Sequence, residues 1–397
     1  MNRRFAFAGV TYAFAVTMLG TTLPTPLYPL YQRRFGFSEL MITVIFATYA
    51  AGVICALLLF GGVSDQIGRR PVLLLGLAVS ALSAVVFLVA GGLAPLLLGR
   101  ILSGLSAGIF TGTATATLVD VAPSHNAERA TLVATLANMG GLGCGPLLAG
   151  LLAQWGPLPL RLPFWIDLAL LVPAAVAVVA LPEPVAMTAR PHIQPQRLTV
   201  PAEMRTIFIR AALAAFAGFA VLGLSTAVAP AFLGHTLGVG SDAVVGLVAF
   251  SAFAASAAGQ LLLEVVPRQM ALPGGCAMLI AGAAVLALGL VVTSLALLVT
   301  GIVVAGVGQG LSFRAGLTGV NSASPPAHRA EVASSFFVVA YLAISAPVIG
   351  VGVLAQAAGL RSAGIVFAAC VAALAAIVLV LLAGQRRTSP AAGAIAR

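Results

Sequence analysis

Long runs of apolar residues, separated by short breaks that hold charges or Gly and Pro, follow one another along almost the whole chain. Each run is close to the roughly 20 residues that a helix needs to cross a bilayer core about 30 Å thick. The runs are continuous, whereas the strands of a membrane barrel alternate between apolar and polar residues, so the pattern predicts helices. We predict twelve spans, at 6–30, 38–60, 72–92, 94–119, 130–153, 162–182, 206–232, 243–264, 271–292, 295–318, 331–355 and 361–383.

The composition indicates an integral membrane protein. Of the 397 residues, 61% are hydrophobic and only 8% are charged, whereas a soluble domain has about 25% charged residues. The mean hydropathy is +1.11. These values exclude an ordinary soluble globular fold.

The net charge of +10 comes from arginines, because the chain has no lysine. With the amino terminus inside, fifteen of the twenty arginines fall on or near one side of the predicted helices, and four, Arg33, Arg34, Arg161 and Arg361, fall on the other. Short cytoplasmic loops retain positive charge, so we expect both termini in the cytoplasm and the chain in the inner membrane of a bacterial cell. The arginines form no patch interleaved with aromatic residues, so we expect no nucleic-acid partner.

The second half of the chain repeats the first. Residues 127–156 and 327–359 share an Ala-x-Arg-Ala start, a central Pro and a Leu-Ala-Gln segment, and the second copy lies six predicted helices after the first. A segment rich in Pro and Arg separates the halves. We predict a six-helix bundle at 1–182, a cytoplasmic linker at 183–205, a second six-helix bundle at 206–383 and a cytoplasmic tail at 384–397. Parallel six-helix halves are a recurring plan of secondary transporters, which bind substrate between the halves.

The break after the second predicted helix reads GGVSDQIGRRP, at 61–71, and holds three formal charges. Its pattern, Gly-x-x-x-Asp-x-x-Gly-Arg-Arg, resembles the signature loop between helices 2 and 3 of the major facilitator superfamily, and the resemblance covers essentially the whole chain. It implies an all-α membrane fold of twelve helices in two pseudo-symmetric bundles.

Three further segments resemble motifs of the twelve-helix drug/proton antiporters of that family. They are LG at 19–20 followed by PLYP at 26–29, RILSG at 100–104, and GLGCGPLLAG at 141–150. A proline inside a helix removes a backbone donor and bends the helix, and glycines let another helix approach closely. Ordinary small-residue packing would also explain the glycines, but not a proline beside them. The motif candidates are Pro26, Pro29, Gly141, Gly145, Pro146 and Gly150.

The resemblance implies a role for this loop. In the family, the acid and the arginines of the signature loop dock on neighbouring helix ends and hold one of two conformations closed. Here Asp65 would face a helix end in the second half, and Arg69 or Arg70 would reach Asp120. The alternative is that these charges only mark a cytoplasmic loop, which by itself requires no fixed spacing. The candidate gate residues are Gly61, Asp65, Gly68, Arg69, Arg70 and Asp120.

Arg100 lies inside the fourth predicted helix, where a charge costs about 2.5–3.5 kcal/mol on insertion scales, so it is a functional candidate. Its counterpart in the second half falls at Thr300 or Gly301, so the fold does not need a cation at that place. The alternative is that the Arg100 side chain extends to the outer interface.

The chain has ten acids, and none lies in the middle of a first-half helix, where many relatives of this kind keep a titrating carboxylate. Asp167, about one and a half turns into the sixth helix, is the remaining candidate for proton coupling together with Arg100. A buried carboxylate there can change its charge during a transport cycle. Alternatively, Asp167 pairs with Arg161 or caps backbone groups at the interface.

Helices 1, 4, 7 and 10 line the substrate cavity in the family, and with their neighbours they carry neutral polar and aromatic side chains here. Such a lining suits an amphiphilic or neutral ligand. Hydroxyls in membrane helices also bond to their own backbone, which is the alternative for each Thr. The candidates are Thr22, Tyr49, Thr111, Asn138, Thr226, Phe253, Gln309, Phe337 and Tyr341.

We therefore expect a transporter and not an enzyme: an exporter of small drug-like or metabolite molecules that works by alternating access, with proton influx as the resemblance implies. The expected partners are a small-molecule substrate, protons and the bilayer, with no cofactor and no metal, and the chain acting as a monomer. One alternative is a facilitator or importer of a neutral or anionic metabolite, with Arg100 holding the anion. Others are a membrane enzyme, which would need His, Cys or acids clustered at membrane depth, and a sensor or scaffold without transport.

Overall fold

The computed structural model describes residues 3–60, 62–123, 126–185, 195–325 and 328–388. Among these residues, twelve helices are long and apolar enough to span a membrane, as predicted, and no strand is present in the described ranges. The helices are α1 Arg3–Thr22, α2 Glu39–Phe60, α3 Arg69–Leu88, α4 Leu93–Val121, α5 Ala127–Trp155, α6 Leu162–Val179, α7 Arg205–Ala227, α8 Asp242–Leu261, α9 Arg268–Val291, α10 Leu295–Ala323, α11 Arg329–Ala358 and α12 Leu360–Thr388.

Polar capping residues determine where α5 and α10 begin, and α5 begins three residues before its predicted span of 130–153. The side chain of Asn126 accepts a hydrogen bond of 2.9 Å from the N–H of Arg129 at the start of α5. Ser294 accepts one from the N–H of Leu297 at the start of α10. These caps satisfy backbone donors that have no partner within the helix.

The first span is interrupted after Thr22. A short 3₁₀ turn, Thr25–Leu27, follows, and the helix then resumes as Tyr28–Phe35. Pro26 lies in the turn and cannot donate a backbone hydrogen bond, whereas Pro29 lies in the first turn of the resumed helix, where the missing N–H costs little. The predicted first-helix motif is therefore a helix break.

The helices alternate in direction, so both ends of the described chain and the linker lie at one end of the bundle, called the terminal face here. The opposite end is the distal face. Helices α1–α6 form one half and α7–α12 the other, and the main contacts between the halves join α5 to α8 and α2 to α11. The linker segment at 183–205 lies between α6 and α7, and the last 3₁₀ turn before α7, Ala202–Met204, falls within it.

The two halves meet closely near the distal face. Gly150 of α5 packs against the backbone of Asp242 and Gly246 in α8, and Gly246 in turn lies against the carbonyl group of Pro146. The side chain of Gln154 accepts a hydrogen bond of 2.9 Å from the N–H of Asp242. The absence of a side chain at the glycines lets the helices approach to backbone contact.

The outer surface of the bundle is apolar, as expected for contact with lipid tails. Leu82, Val172 and Val380 are exposed on three different helices. Helix α7 is mostly buried, whereas α12 is mostly exposed. Of the four cysteines, only Cys276 is buried.

Candidate functional site

A cavity of about 700 Å³ lies between the two halves and opens at the terminal face. Its lining extends from Asp65 and Glu128 at the mouth to Thr22, Phe46 and Arg100 at the deep end, toward the distal face. Eight of the nine side chains that we predicted to be in the cavity line it: Thr22, Tyr49, Thr111, Asn138, Thr226, Phe253, Phe337 and Tyr341.

Gln309 is the exception, and its prediction as a cavity residue was wrong. Its side chain is 0% exposed and packs against Gly218 of α7. Its Oε1 accepts a hydrogen bond of 2.5 Å from the hydroxyl of Ser256 in α8. Gln309 therefore connects three helices inside the second half, with its Oε1 bonded and its buried Nε2 without a hydrogen-bond partner.

The threonine hydroxyls of the cavity donate to protein groups. Thr111 donates to the carbonyl of Ala107 at 2.7 Å, and Thr226 donates to that of Leu222 at 2.8 Å, each within its own helix. This is the backbone bonding that we gave as the alternative for each Thr. With the protons used in this way, the hydroxyl oxygens can accept hydrogen bonds from a ligand but do not donate to it.

Thr22 bonds to a different helix. Pro146 has no N–H group, so the carbonyl of Leu142, four residues earlier in α5, loses its usual helical donor. The Thr22 hydroxyl donates to that carbonyl at 2.8 Å. Gly141 and Gly145 lie one turn apart and pack directly on the α1 backbone, which brings Thr22 within reach.

Aromatic side chains from the second half form one wall of the cavity. The rings of Phe219 and Phe313 meet edge to face at 5.0 Å between centroids, and Phe337 contacts Phe313 at 6.2 Å. Tyr49 of α2 and Tyr341 of α11 also meet edge to face, at 6.2 Å. This tyrosine pair joins the two halves across the cavity.

Arg100 is buried among these groups, with only 1% of the residue exposed. Its Nη1 donates a hydrogen bond of 2.5 Å to the carbonyl of Thr21, a residue in the last turn of α1. Its Nη2 donates to the carbonyl of Phe46 at 3.4 Å, and Nε has no hydrogen-bond partner. The guanidinium lies 4.6 Å from the ring centre of Tyr49, within the range of a cation–π contact.

This placement argues against the alternative in which Arg100 extends to the outer interface. Gly104, one turn further along α4, packs on the backbone of Tyr49, so α2 and α4 approach closely at this level. The guanidinium is thereby enclosed by protein. It is bonded only to neutral carbonyl groups in the described part of the chain.

Asp167 is also buried, with 2% of the residue exposed, and its Oδ1 has no hydrogen-bond partner. It lies against Gly20 of α1, where an added Cβ would be 2.8 Å from Oδ2. No ion pair with Arg161 is present among the described residues, so the pairing that we gave as an alternative was wrong. Asp167 and Arg100 both contact α1 just before its break, at successive residues, Gly20 and Thr21.

Near the terminal face, Arg69 is the centre of a charged network. Its Nε lies 3.0 Å from Oδ2 of Asp120 at the end of α4, where we predicted a contact for Arg69 or Arg70. Its Nη1 lies 2.5 Å from Oδ1 of Asp65 and donates to the hydroxyl of Ser64 at 2.8 Å. Arg69 therefore ties the loop before α3 to the end of α4.

Asp65 does not face the second half in this conformation, contrary to the prediction. Its side chain is 63% exposed at the mouth of the cavity and pairs with Arg69, four residues later. The reason is that the halves are apart at this face, so the nearest cation lies in the same loop. Gly61, the first candidate gate residue, lies outside the described residues.

Glu183, at the start of the linker, is a member of this network that sequence reasoning missed. Its two carboxylate oxygens accept hydrogen bonds from the N–H groups of Arg69 at 2.7 Å and Arg70 at 2.9 Å. It thus caps the first turn of α3, where backbone donors are free and an anion is favoured. Gly68 precedes this turn with φ +102°, and a Cβ there would be 2.7 Å from Glu183 Oε2, so glycine is required for both reasons.

The corresponding loop of the second half has a simpler arrangement. Glu264 pairs with Arg314 of α10 at 2.5 Å, and Arg314 also donates to the carbonyl of Gln260 at 2.7 Å. Arg314 and Gln260 line the same cavity. In the described residues, no group of three or more His, Cys, Asp or Glu side chains is arranged so that it could hold a metal ion.

Comparisons with known proteins agree with this geometry. The family model of the Major Facilitator Superfamily matches residues 10–347. Quinolone resistance protein NorA of Staphylococcus aureus strain MRSA252 is 27% identical over 185 residues, which are 46% of this chain and 47% of NorA. The chain thus matches about half the length of that relative.

Two solved structures show the same fold at low identity. A bacterial homologue of the human lysosomal transporter Spinster, in an inward-facing and unoccupied conformation, has a TM-score of 0.72 and 16% identity, with 98% of this chain and 99% of that chain covered. The nucleoside transporter NupG, as a D323A mutant, has a TM-score of 0.75 and 13% identity, with 96% and 100% covered.

The family match covers most of the chain, and the cavity between two six-helix halves is where such proteins hold their cargo. One of the relatives that the chain matches, NorA, is named for quinolone resistance. The chain therefore belongs to the Major Facilitator Superfamily and is a multi-pass membrane transporter rather than an enzyme.

Proposed function

We propose that this transporter exports small amphipathic molecules from the cytoplasm by alternating access, in exchange for protons. The observation that carries the proposal is the cavity of about 700 Å³, which opens at the terminal face and is lined by both aromatic rings and neutral polar side chains. Its volume is in the range of sites for drug-sized ligands. The cavity is formed by a single chain, so we propose that the monomer is the working unit.

The arginine distribution supports the proposed orientation of the protein in the membrane. Most of the arginines in the described ranges lie at the terminal face, which the charge rule assigns to the cytoplasm of a bacterial cell. The described conformation is then inward-facing, and the cavity is ready to take cargo from inside. The printed name of NorA, a quinolone resistance protein, supports export of drug-like molecules.

In the outward-facing conformation, the charged network at the terminal face would help to keep the mouth of the cavity closed. Asp65 and Ala330, at the start of α11, line the mouth of the cavity from opposite halves. When the mouth closes, Asp65 would approach the first turn of α11, whose free N–H groups favour an anion. Arg69, Asp120 and Glu183 would keep the loop in the position that this contact needs.

Asp167 is the proposed proton site. A carboxylate that is buried without a cation or a full set of hydrogen bonds is costly, so its charge depends on its surroundings. It lies against α1 beside the break in that helix, and α1 is packed on α5 and α6. A movement of α1 during the cycle would change the access of water to Asp167, which would let it take up a proton on one side and release it on the other.

Inside-out vesicles that contain the purified protein test this proposal. A fluorescent quinolone is added outside, and a pH-sensitive dye is enclosed. Export in exchange for protons predicts that an acid interior drives quinolone uptake and that quinolone addition makes the interior less acid. A facilitator, the main alternative, would equilibrate the compound without moving protons, and that result would contradict the coupling while leaving the transporter assignment in place.

A further inference from the structure

The charges around the cavity are distributed unevenly along its depth. The acids that line it, Asp65 and Glu128, lie at the mouth. Asp65 pairs there with Arg69. At the deep end, the charged side chain among the described lining residues is Arg100, which makes no ion pair with any described residue.

The charge of Arg100 acts over a longer distance here than it would in water. The deep end is enclosed by aromatic and aliphatic side chains, where charges are screened much less than in water. The guanidinium Nε has no partner, so one strong donor is left over beside the cavity. The ring of Tyr49, 4.6 Å from the guanidinium, also lines the cavity. A negative group at the deep end is therefore favoured and a positive group is disfavoured, with or without direct contact.

The neutral lining points in the same direction. The hydroxyls of Thr22, Thr111 and Thr226 donate to backbone carbonyls, so they leave few donors for a ligand and do not compete with Arg100 for its acceptor group. The phenylalanines of the second half offer ring faces and edges at 5–6 Å spacing, which suits an aromatic body.

We propose that the cargo is an aromatic molecule with a negative charge or a strong hydrogen-bond acceptor, and that Arg100 selects this group against cations. The ring system would pack against Phe313 and Phe337, and the acidic or acceptor group would point toward Arg100. This inference rests on the proposed function, because it takes the cavity as the cargo site. It excludes permanently cationic aromatics as preferred cargo.

Three naphthalene probes of similar size test the charge preference: naphthalene-2-sulfonate, methyl 2-naphthyl sulfone and 2-naphthyltrimethylammonium. Their affinities are measured by equilibrium dialysis with the purified full-length protein in lipid nanodiscs, without a proton gradient. We expect the sulfonate to bind best and the ammonium worst, with about a tenfold difference or more. Equal or tighter binding of the ammonium, or no binding of any probe, would overturn the proposal.

Variants assign the preference to Arg100. Arg100→Gln should weaken the sulfonate about tenfold or more and leave the neutral sulfone within a few fold. Arg100→Lys, the matched control, keeps the charge and should keep the order of the probes. If Arg100→Gln does not fold, Asn138→Asp adds an acid of nearly the same shape to the cavity wall and should weaken the sulfonate and strengthen the ammonium. Unchanged relative affinities of the three probes in folded Arg100→Gln or in Asn138→Asp would contradict the proposal.

The binding data and the vesicle assay separate the two proposals. A charge preference that depends on Arg100, found in a protein that moves no protons, supports the cargo class and contradicts the exchange. Proton-coupled movement of cationic aromatics in preference to anionic ones supports the exchange and overturns the cargo class.

Discussion

The hydroxyl of Thr22 donates a hydrogen bond of 2.8 Å to the carbonyl of Leu142, the group that Pro146 leaves without a helical donor. One bond thus compensates for the proline in α5 and joins α5 to the end of α1. Both partners lie beside the cavity, since Thr22 and Leu142 line it. The proline motif of α5 and the helix break in α1 are therefore one structural unit.

Replacing the Thr22 hydroxyl should weaken this unit. Thr22→Val keeps the shape but leaves the carbonyl of Leu142 without a donor, which we expect to cost about 0.6–1.5 kcal/mol. The change should appear as a lower temperature of unfolding for the protein in detergent. Thr22→Ser, which keeps the hydroxyl, is the control and should restore most of the loss. Equal stability of Thr22→Val and wild type would show that water or a shift of α5 supplies the missing bond.

How much of this could be read from the sequence depends on the range of the interactions. The twelve spans follow from local apolar runs, and the contact of Asp120 with Arg69 or Arg70 was expected from the family resemblance. Glu183 was not predicted, because its role depends on the linker returning to the start of α3, 114 residues earlier in the chain. A signal was present in the acid between two prolines directly after α6, opposite a helix start that has no capping side chain of its own.

Gln309 shows the opposite error. A polar residue in a helix that lines the cavity in related proteins was assigned to the cavity, but which face of a nearly uniform apolar helix points inward is decided by packing. Here Gly218 and Ser256 provide a space and a bonding partner inside the second half. Sequence periodicity carries little information about such a choice when every face of the helix is apolar.

Loss of the charge at Asp65 should favour the inward-facing conformation. The pair of Asp65 with Arg69 is largely exposed in the present state and is worth about 0–1 kcal/mol. In the closed state, an anion near the first turn of α11 is worth about 0.3–2 kcal/mol more, depending on its burial. Asp65→Asn should therefore shift the balance by a few fold, whereas Asp65→Glu should not.

Thiol labelling checks this shift. A single cysteine at Ala330, at the mouth of the cavity, is introduced after the native cysteines have been replaced, since Cys55, Cys144 and Cys370 are exposed. Its labelling rate should rise in Asp65→Asn. A rate equal to that of the Asp65→Glu variant would count against the proposed closing contact.

The contact between α5 and α8 near the distal face offers a way to shift the protein toward the outward-facing conformation. A side chain at Gly246 would overlap the carbonyl oxygen of Pro146, which only the close approach of α5 and α8 creates. Gly246→Val should destabilise the present conformation and open the distal face. A cysteine at Thr43, which is buried against Gly352 at that face, should then react faster with an added thiol reagent. Gly240→Val is the control, since a Cβ at Gly240 meets no atom within 4 Å.

The proton site can be tested separately from cargo binding. Asp167→Asn keeps the shape of the side chain but cannot gain or lose a proton. Removing a buried charge without a cationic partner also removes its desolvation cost, so we expect the folded protein to be at least as stable as wild type. The variant should lose quinolone accumulation driven by a pH difference and keep exchange of labelled for unlabelled compound, because exchange needs no net proton movement. Glu203→Gln, at an exposed acid on the terminal face, should keep both activities. Retained pH-driven accumulation in Asp167→Asn would remove the proton role from Asp167, and since no other described carboxylate inside the first half is comparably buried, it would favour the facilitator over the exchanger.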